Sequence, residues 1–149
     1  MMISPELLRR FHCFAEVDAD TLKQIAMASE EKRISAGTRV FDVGDDADEL
    51  YLVEEGEVDI QYPLGNGELR TVDTVVSGEL IMWSALVEPH KSTATAVVHH
   101  DAKLIAVDGA RLRELCDADH ELAYHLELNI AQLLVERLRG TCVQLATAG

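Results

Sequence analysis

The sequence predicts a mainly β protein, an antiparallel jelly-roll β-barrel with flanking helices. From Glu31 onward, apolar residues alternate with polar ones instead of recurring at the helical period. Glycines separate the successive runs and stand at positions 37, 44, 56, 65, 67 and 78. Helical periodicity precedes and follows this region. The length of 149 residues and the hydrophobic content of 48% fit one domain over 1–149, with the barrel over about 30–107.

Two short helices are expected before the barrel. Ser4 is a candidate N-cap, and Pro5 follows it at the first helical position, where the missing N–H of a proline needs no partner. Asp18 is the candidate cap of the second helix, in which Leu22 and Ile25 lie about one turn apart.

The barrel strands differ in how many faces they bury. The run from Leu50 to Val53 is continuously apolar, which is typical of a strand covered on both faces. The run from Glu57 to Tyr62 alternates and fits a strand with one buried face. Gly65-Asn66-Gly67 predicts a hairpin, and the segment from Ala102 to Val107 predicts the last strand. A jelly roll is one way for many short strands to avoid open edges.

The central stretch combines a turn, a short helix and a strand. Gly78-Glu79 is followed by an apolar run to Leu86, a loop at Pro89, and a β-branched segment from Ser92 to Val98. A glycine before a helix lets the first unpaired N–H groups point at one spot, and such a spot binds an anion. Trp83, the single tryptophan, is expected to anchor the core.

Two helices are expected after the barrel, over about 109–139. Asp108 is the candidate cap of the first, the segment Asp117-Ala118-Asp119 is expected to cap the second, and the final helix is predicted from about His120 to Arg139. Its apolar residues cover more than the ~100° stripe that packing on one surface requires, so a second partner is expected. The candidate contact residues are Leu126, Ile130, Leu133 and Leu134. The alternative is a helix packed only on its own barrel, with residues 142–149 fraying.

Composition restricts the classes of partner. The formal net charge of −14 opposes binding to nucleic acid and to anionic membranes. No apolar run approaches the ~20 residues that span a bilayer, and the N-terminus lacks the features of a signal peptide, so a cytoplasmic location is expected. Cys13, Cys116 and Cys142 are far apart and odd in number, which favours reduced thiols over disulfides or a metal cluster.

Five separated blocks of sequence occur in an order that resembles the cyclic-nucleotide-binding domain of the catabolite-activator and Fnr-type regulators. The blocks are Ala36-Gly37, Val43-Gly44-Asp45, the run from Leu50 to Val58, Gly78-Glu79-Leu80 and Thr93-Ala94-Thr95. The resemblance implies a non-catalytic sensory domain that binds cAMP, cGMP or a related small anionic effector. It also implies a homodimer through the last helix, which signals to a downstream protein. The family's transcription factors continue into a DNA-binding module, so the sensor half alone is expected here.

The resemblance assigns roles to residues of the central stretch. Glu79 stands where the family's glutamate accepts the ribose 2′-hydroxyl, after Gly78. Backbone N–H groups near Leu80, Ser84 and Ala85 would face the cyclic phosphate. Thr93 remains a candidate contact to the phosphate or the base.

One departure from the family pattern weakens the expected phosphate site. Nucleotide-binding members carry an arginine directly before the Ser/Thr-Ala pair, and this chain has Ser92 there. Lys91 is one residue early, so in an extended strand it points to the opposite face unless the loop bends it inward. We therefore expect weak or undetectable binding of cAMP and cGMP. Ser92→Arg is expected to raise the affinity at least tenfold if the pocket has room beside Met82.

Two other functions remain open. The first is a ligand-free dimerisation module that keeps the fold but has a degenerate pocket. The second and weaker one is a cupin-like metal enzyme, since cupins share this kind of barrel. His99 and His100 are adjacent and face opposite sides of a regular strand, and the HxH-plus-Glu ligand set is absent, so no metal site is predicted. No catalytic residues are predicted either.

Overall fold

A computed structural model describes residues 2–148, and its centre is one six-stranded antiparallel sheet rolled into a barrel. The predicted jelly-roll architecture with flanking helices is confirmed. The strands are β1 Ser29–Ile34, β2 Arg39–Phe41, β3 Glu49–Pro63, β4 Leu69–Val76, β5 Leu80–Ile81 and β6 Thr95–Asp108. Their order is β1-β6-β3-β4, with β2 also paired to β6 and β5 to β3.

Four α-helices flank the barrel, two before it and two after it, as predicted. They are α1 Pro5–Arg9, α2 Ala19–Met27, α3 Gly109–Ala118 and α4 His120–Ala148. Two short 3-10 helices, His12–Phe14 and Trp83–Ala85, complete the regular structure of the described residues. Within residues 2–148, no helix is both long enough and apolar enough to cross a lipid bilayer.

The four predicted N-caps are all present. Ser4 accepts a hydrogen bond from the Leu7 N–H at 3.2 Å, and Asp18 accepts one from the Thr21 N–H at 2.8 Å. Asp108 caps α3 through the Ala110 N–H at 3.1 Å. Asp119 opens α4 by accepting the N–H groups of Glu121 and Leu122 at 3.1 and 3.2 Å. Each cap satisfies donors that have no partner inside the helix, which fixes where the helix begins.

Two strands are longer than the sequence predicts. The runs Leu50–Val53 and Glu57–Tyr62 belong to the single strand β3, and Ala102–Val107 is only the second half of β6. Register shifts between Val53 and Val58 let both strands bend without ending, so each continues around the barrel. The predicted burial is confirmed, because Leu50–Val53 is buried throughout and Val58 and Ile60 are the buried residues of the alternating run.

Gly56 stands at this bend, in the middle of β3. Its φ is +93°, and a Cβ atom there would lie 2.5 Å from the carbonyl oxygen of Asp101 and 2.7 Å from the Cα of Ala102. Only glycine allows β3 and β6 to approach this closely. Gly56 therefore lies inside a continuous strand, at a point where β3 comes unusually close to β6. Gly67, at φ +86°, belongs instead to the predicted hairpin between β3 and β4.

A single hydrophobic cluster joins the barrel to both helical ends. Phe11 and Phe14 from the N-terminal segment, Leu112 from α3 and Leu122 from α4 all belong to it, together with the inner face of the sheet. The shared core fixes the position of the first half of α4 against the barrel.

The final helix is longer than predicted, since α4 runs to Ala148 and passes through Gly140 without interruption. Only Leu122, Leu126 and Ile130 are buried along it. Nearly all of its side chains from residue 131 onward are exposed, apart from Leu133 and Arg137. The second half of α4 is therefore a helix with little contact to its own chain.

Candidate ligand site

The central stretch folds differently from the predicted turn, helix and strand. Gly78 has a φ of +95°, and the next ordered element is β5, Leu80–Ile81, paired with Tyr51 and Leu52 of β3. The helical part is reduced to the 3-10 helix Trp83–Ala85, which begins after Met82. Glu79 therefore precedes a strand, and the expectation that it begins the short helix is wrong.

The backbone donors of this stretch are partly used within it. The Gly78 N–H donates to the carbonyl of Val53 at 2.8 Å, and the Ala85 N–H donates to the carbonyl of Met82 at 3.0 Å. Leu80 is a buried strand residue, and Ser84 is buried in the 3-10 helix. A 3-10 helix of three residues has almost no dipole, so it supports the predicted anion site less than a longer helix would, and that site stays a prediction.

Ser92 is fixed by four hydrogen bonds. Its Oγ donates to the carbonyl of Ala94 at 2.6 Å and accepts from the N–H of the same residue at 3.3 Å. Its backbone N–H donates to the carbonyl of Asp45 at 2.8 Å, and its own carbonyl accepts from the N–H of Gly44 at 2.9 Å. The side chain is 5% exposed. Ser92 is therefore a structural residue of the turn that leads into β6.

Lys91 points away from Ser92, toward the loop that precedes β3. Its ammonium pairs with the carboxylate of Asp46, and this hydrogen bond and charge raise the pKa of Lys91. The side chain is more than half exposed. In this conformation the bend that would bring Lys91 inward is not formed.

The space between the 3-10 helix and the Ser92–Ala94 segment is nearly filled. The cavity there has a volume of about 10 Å³. A volume of this size holds at most one water molecule, whereas ligand pockets measure about 300–1,000 Å³. The lining residues are Phe41, Ile60, Ile81, Met82, Trp83, Ser84, Ser92, Thr93 and Ala94. The side chain of Met82 is among those that line this space.

A larger cavity opens beside the closed one, between α4 and the β3–β4 hairpin. Its volume is about 600 Å³, and it shares Ile60 and Trp83 with the closed cavity. Tyr62 from β3, Asp73 from β4 and Glu79 form the barrel side. The helix side consists of Leu133, Leu134, Glu136, Arg137, Leu138, Gly140, Thr141 and Gln144.

Arg137 links the two sides of this cavity. Its Nε lies 3.0 Å from Oδ2 of Asp73, and its guanidinium carbon lies 5.3 Å from the centre of the Trp83 ring. Only 19% of its side chain is exposed. The sequence predictions do not include Arg137. It continues the buried face of α4 after Ile130 and Leu133 at helical spacing, and this spacing is the signal that points to it. Trp83 is half-buried against the core and also borders both cavities, so it does more than anchor the core.

Glu79 also borders the large cavity. One carboxylate oxygen accepts the N–H of Val76 at 2.9 Å, which holds the loop between β4 and β5. A carboxylate offers further lone pairs, so the side chain can still accept a ligand hydroxyl. Three carboxylates and one guanidinium line the cavity, an arrangement that suits a ligand with hydroxyls and at most one negative charge.

The structure divides the predicted site residues among different surroundings. Glu79 lines the large cavity, whereas Ser84, Ser92 and Thr93 line the closed one. Gly78 and Leu80 border a groove on the other side of α4. Ala85 and Lys91 border neither of the two cavities. Thr93 is held by Tyr62, whose hydroxyl donates to its Oγ1 at 3.3 Å.

The predicted dimer residues divide in a similar way. Leu126 and Ile130 are 1% and 6% exposed within their own chain, so in this conformation they are not available to a second copy. Leu133 is half-buried beside them, and Leu134 is 39% exposed. The exposed apolar side chains of α4 therefore include Leu134 but not Leu126 or Ile130, and the dimer contact stays a prediction.

Known proteins with similar sequence and structure share this fold. The family model described as cyclic nucleotide-binding domain matches residues 31–119. The chain is 30% identical over 102 residues to a cAMP-dependent protein kinase regulatory subunit from Eremothecium gossypii. This match covers 68% of the chain and 21% of that subunit, so the chain spans about a fifth of the length of this relative.

Two solved structures extend the comparison. A protein from Geobacter metallireducens GS-15 described as cyclic nucleotide-binding is 36% identical, with a TM-score of 0.83, over 92% of this chain and 99% of that one. The N-terminal domain of a transcriptional regulator from Streptomyces coelicolor A3(2) is 28% identical, with a TM-score of 0.69, over 87% of this chain and 93% of that one. These matches confirm the resemblance seen in the sequence and support a regulatory class of function. The chain belongs to the cyclic nucleotide-binding domain family.

Proposed function

We propose that the protein is a non-catalytic regulatory domain that binds a small effector between α4 and the barrel and transmits binding through α4. The observation that carries this proposal is Arg137, because one side chain contacts Asp73 and Trp83 on the barrel while its backbone belongs to α4. An effector that takes the guanidinium from Asp73 changes the contact that holds α4. Its cytoplasmic location, expected from the sequence, stays a prediction.

The charges of the cavity favour a particular class of effector. Arg137 provides one positive charge for an anionic group, and Glu79 provides an acceptor for hydroxyls. Asp73 and Glu136 repel a second negative charge. A cyclic mononucleotide carries one negative charge and a ribose hydroxyl, so cAMP or cGMP fits this set better than a linear nucleotide monophosphate. The closed cavity at Ser92 keeps the expected affinity low.

A homodimer through α4 is part of the proposal, with a different contact face from the one predicted. Exposed positions along α4 recur in alternating steps of four and three residues, which is the heptad period of a coiled coil. We call this the α4 seam, and its members are Tyr124, Leu128, Ala131, Val135, Leu138, Cys142 and Leu145. A second copy of the chain is the partner that matches such a seam in length and chemistry. In a parallel pair, Cys142 faces its twin.

The effector part is tested by calorimetry with cAMP, cGMP and 5′-AMP on the wild type and on Arg137→Met. Arg139→Met removes an exposed charge from the same helix and is the matched control. A charge-assisted hydrogen bond contributes about 1.5–3 kcal/mol, so Arg137→Met should weaken cyclic-nucleotide binding by about 10- to 150-fold while the control stays near wild type. Equal binding by wild type and Arg137→Met would refute the role of the guanidinium.

The signalling part is tested through the native thiol of the seam. Mild oxidation should link two chains through Cys142, because facing residues of a parallel coiled coil lie within disulfide reach. Cys142→Ser and Leu138→Glu should both abolish the linked dimer, whereas Thr147→Glu, off the seam, should not. If an effector moves α4, a saturating concentration of it changes the rate of linking. An unchanged rate at demonstrated saturation would contradict signalling through α4.

The ligand-free dimerisation module is the second candidate. The closed cavity of about 10 Å³ favours it, as does the outward direction of Lys91. This candidate predicts efficient linking through Cys142 together with no detectable heat from either cyclic nucleotide. That combination of results would favour the ligand-free dimerisation module over the effector-binding regulatory domain.

A further inference from the structure

We propose that Glu57, His99 and His100 form a binding site for a divalent transition metal, with Zn²⁺ as the best-fitting ion. The ligand atoms of the three side chains all lie within 4.8 Å of one another. They lie at the junction of β3 and β6, on the outer face of the barrel, so the site is separate from the cavity under α4.

A β-bulge brings the two histidines together. Glu57 is opposite His100 and Val58 is opposite Val98, which leaves His99 as an extra residue in β6. The imidazole rings consequently meet edge to face with their centres 4.5 Å apart. The expectation that adjacent histidines face opposite sides is wrong here, because it assumed a regular strand.

The spacing of the ligand atoms suits a tetrahedral ion. Nδ1 of His100 lies 3.3 Å from Oε2 of Glu57. Two ligands at Zn–N and Zn–O distances of about 2.0–2.1 Å are about 3.3 Å apart on a tetrahedral ion, so this pair needs little adjustment. His99 offers one ring nitrogen as the third ligand, within 4.8 Å of the other two ligand atoms, and the fourth position is left to water.

A second layer of hydrogen bonds orients His99. Its Nδ1 lies 3.0 Å from Oδ2 of Asp59, and the other oxygen of Asp59 accepts the hydroxyl of Thr74 at 2.8 Å. A carboxylate on Nδ1 fixes the ring and leaves Nε2 to bind the ion, as the outer partners of metal-ligating histidines do. The Asp59 side chain is only 16% exposed, which limits its motion. Asp59 is therefore a positioning residue.

Imidazole and carboxylate ligands select the class of ion. Ca²⁺ and Mg²⁺ require several oxygen ligands, whereas two imidazoles with one carboxylate suit Zn²⁺. The ion would join β3 to β6 where their register changes, beside Gly56. If the ion binds the folded chain and not the unfolded chain, the melting temperature should rise as the ion concentration increases.

The test is a titration of the full chain with Zn²⁺ at neutral pH, followed by calorimetry and thermal melts. All proteins carry Cys142→Ser, so that the exposed thiol does not bind the ion. One Zn²⁺ per chain is expected, with a rise in melting temperature. His99→Ala and His100→Ala should each weaken binding by about tenfold or more, and the matched control His12→Ala should not.

Asp59→Asn separates positioning from folding. We expect it to weaken Zn²⁺ binding by about 10- to 100-fold while the melting temperature without metal stays within the range of His12→Ala. Co²⁺ in place of Zn²⁺ should give the strong visible absorption of a tetrahedral site in the Cys142→Ser parent and in the His12→Ala control, but not in the His99→Ala and His100→Ala variants. Failure of the Cys142→Ser parent to bind one Zn²⁺, or equal binding by the His99→Ala and His100→Ala double variant, would overturn the proposal and leave two histidine–carboxylate contacts on the surface.

Discussion

Replacing Ser92 with arginine tests whether the family's phosphate position is open in this chain. From the sequence, restoring the arginine is expected to increase cyclic-nucleotide affinity if there is room beside Met82. The structure gives about 10 Å³ at that place, so the condition is not met in this conformation. We therefore expect Ser92→Arg to destabilise the fold, with no gain in binding.

The magnitude follows from the contacts of Ser92. Its hydroxyl donates to the carbonyl of Ala94 at 2.6 Å, and losing that bond costs about 1 kcal/mol. Forcing a larger side chain into a packed site costs about 1–3 kcal/mol more. The total of about 2–4 kcal/mol corresponds to a fall in melting temperature of about 5–15 °C for a chain of this length. Ser92→Ala is the matched control and should lose only the first part.

The assay combines urea denaturation, followed by circular dichroism, with calorimetry using cAMP. Ser92→Arg should have the lowest unfolding midpoint and no tenfold gain in affinity over the wild type, with Ser92→Ala between the two in stability. A Ser92→Arg protein that melts like the wild type and binds cAMP at least ten times more tightly would refute this reasoning. It would mean that the cavity opens at little cost.

Three further predictions concern the fold. Gly56→Ala should lower the free energy of unfolding by about 3 kcal/mol or more, because it adds a clash with β6 to an unfavourable positive φ. Gly37→Ala, at φ +87° in open space, should lower it only by the conformational part of about 1–3 kcal/mol. Unfolding midpoints in urea compare the two variants. A thiol reagent should label the exposed Cys142 quickly and leave the buried Cys13 unmodified until the protein unfolds. The reason is that burial raises the pKa of the Cys13 thiol to about 12. Equal labelling rates at the two cysteines would contradict the buried position of Cys13. Burial, with neighbouring carboxylates, raises the pKa of Glu54. As the pH rises above the ordinary carboxyl range, the unfolded state therefore loses this proton before the folded state does, and the folded state becomes less stable. Glu54→Gln should therefore raise the melting temperature at neutral pH, and the gain should vanish at acidic pH; a gain that persists in acid would rule out ionisation as the cause.

The elements that the sequence predicts well are those set by local chemistry. A cap such as Asp18 bonds the backbone three residues away, so its effect can be derived from neighbouring residues alone. The buried run Leu50–Val53 is equally clear, because a continuous apolar stretch has few alternatives inside a barrel. The order of five family blocks predicts the rest of the architecture.

The parts that fail depend on contacts between distant segments. Because glycines usually separate strands, Gly56 indicated a turn between two strands. In the structure it lies inside the single strand β3, where the close approach of β6 leaves no room for a side chain. The bulge at His99 depends on the register of β3 against β6, which no local pattern contains. Arg137 has the same character, since its partner Asp73 is far away in sequence.

The strength of the Arg137 contact decides how far an effector can shift α4. Asp73 is 40% exposed, and an ion pair of this kind contributes about 0–1 kcal/mol, so releasing the guanidinium costs little. A charge-assisted bond from the same guanidinium to an effector contributes about 1.5–3 kcal/mol. The difference of about 0.5–3 kcal/mol overlaps the usual range of coupling between sites and corresponds to a population shift of about 2- to 150-fold. A shift of that size is enough to alter the pairing of the α4 seam if the two arrangements of α4 have similar free energies. It is too small to pull Leu126 and Ile130 out of the core. In the proposed mechanism, the part of α4 that would respond to an effector is the exposed half beyond Ile130, which carries the seam from Ala131 to Leu145 and which the chain's own core no longer holds.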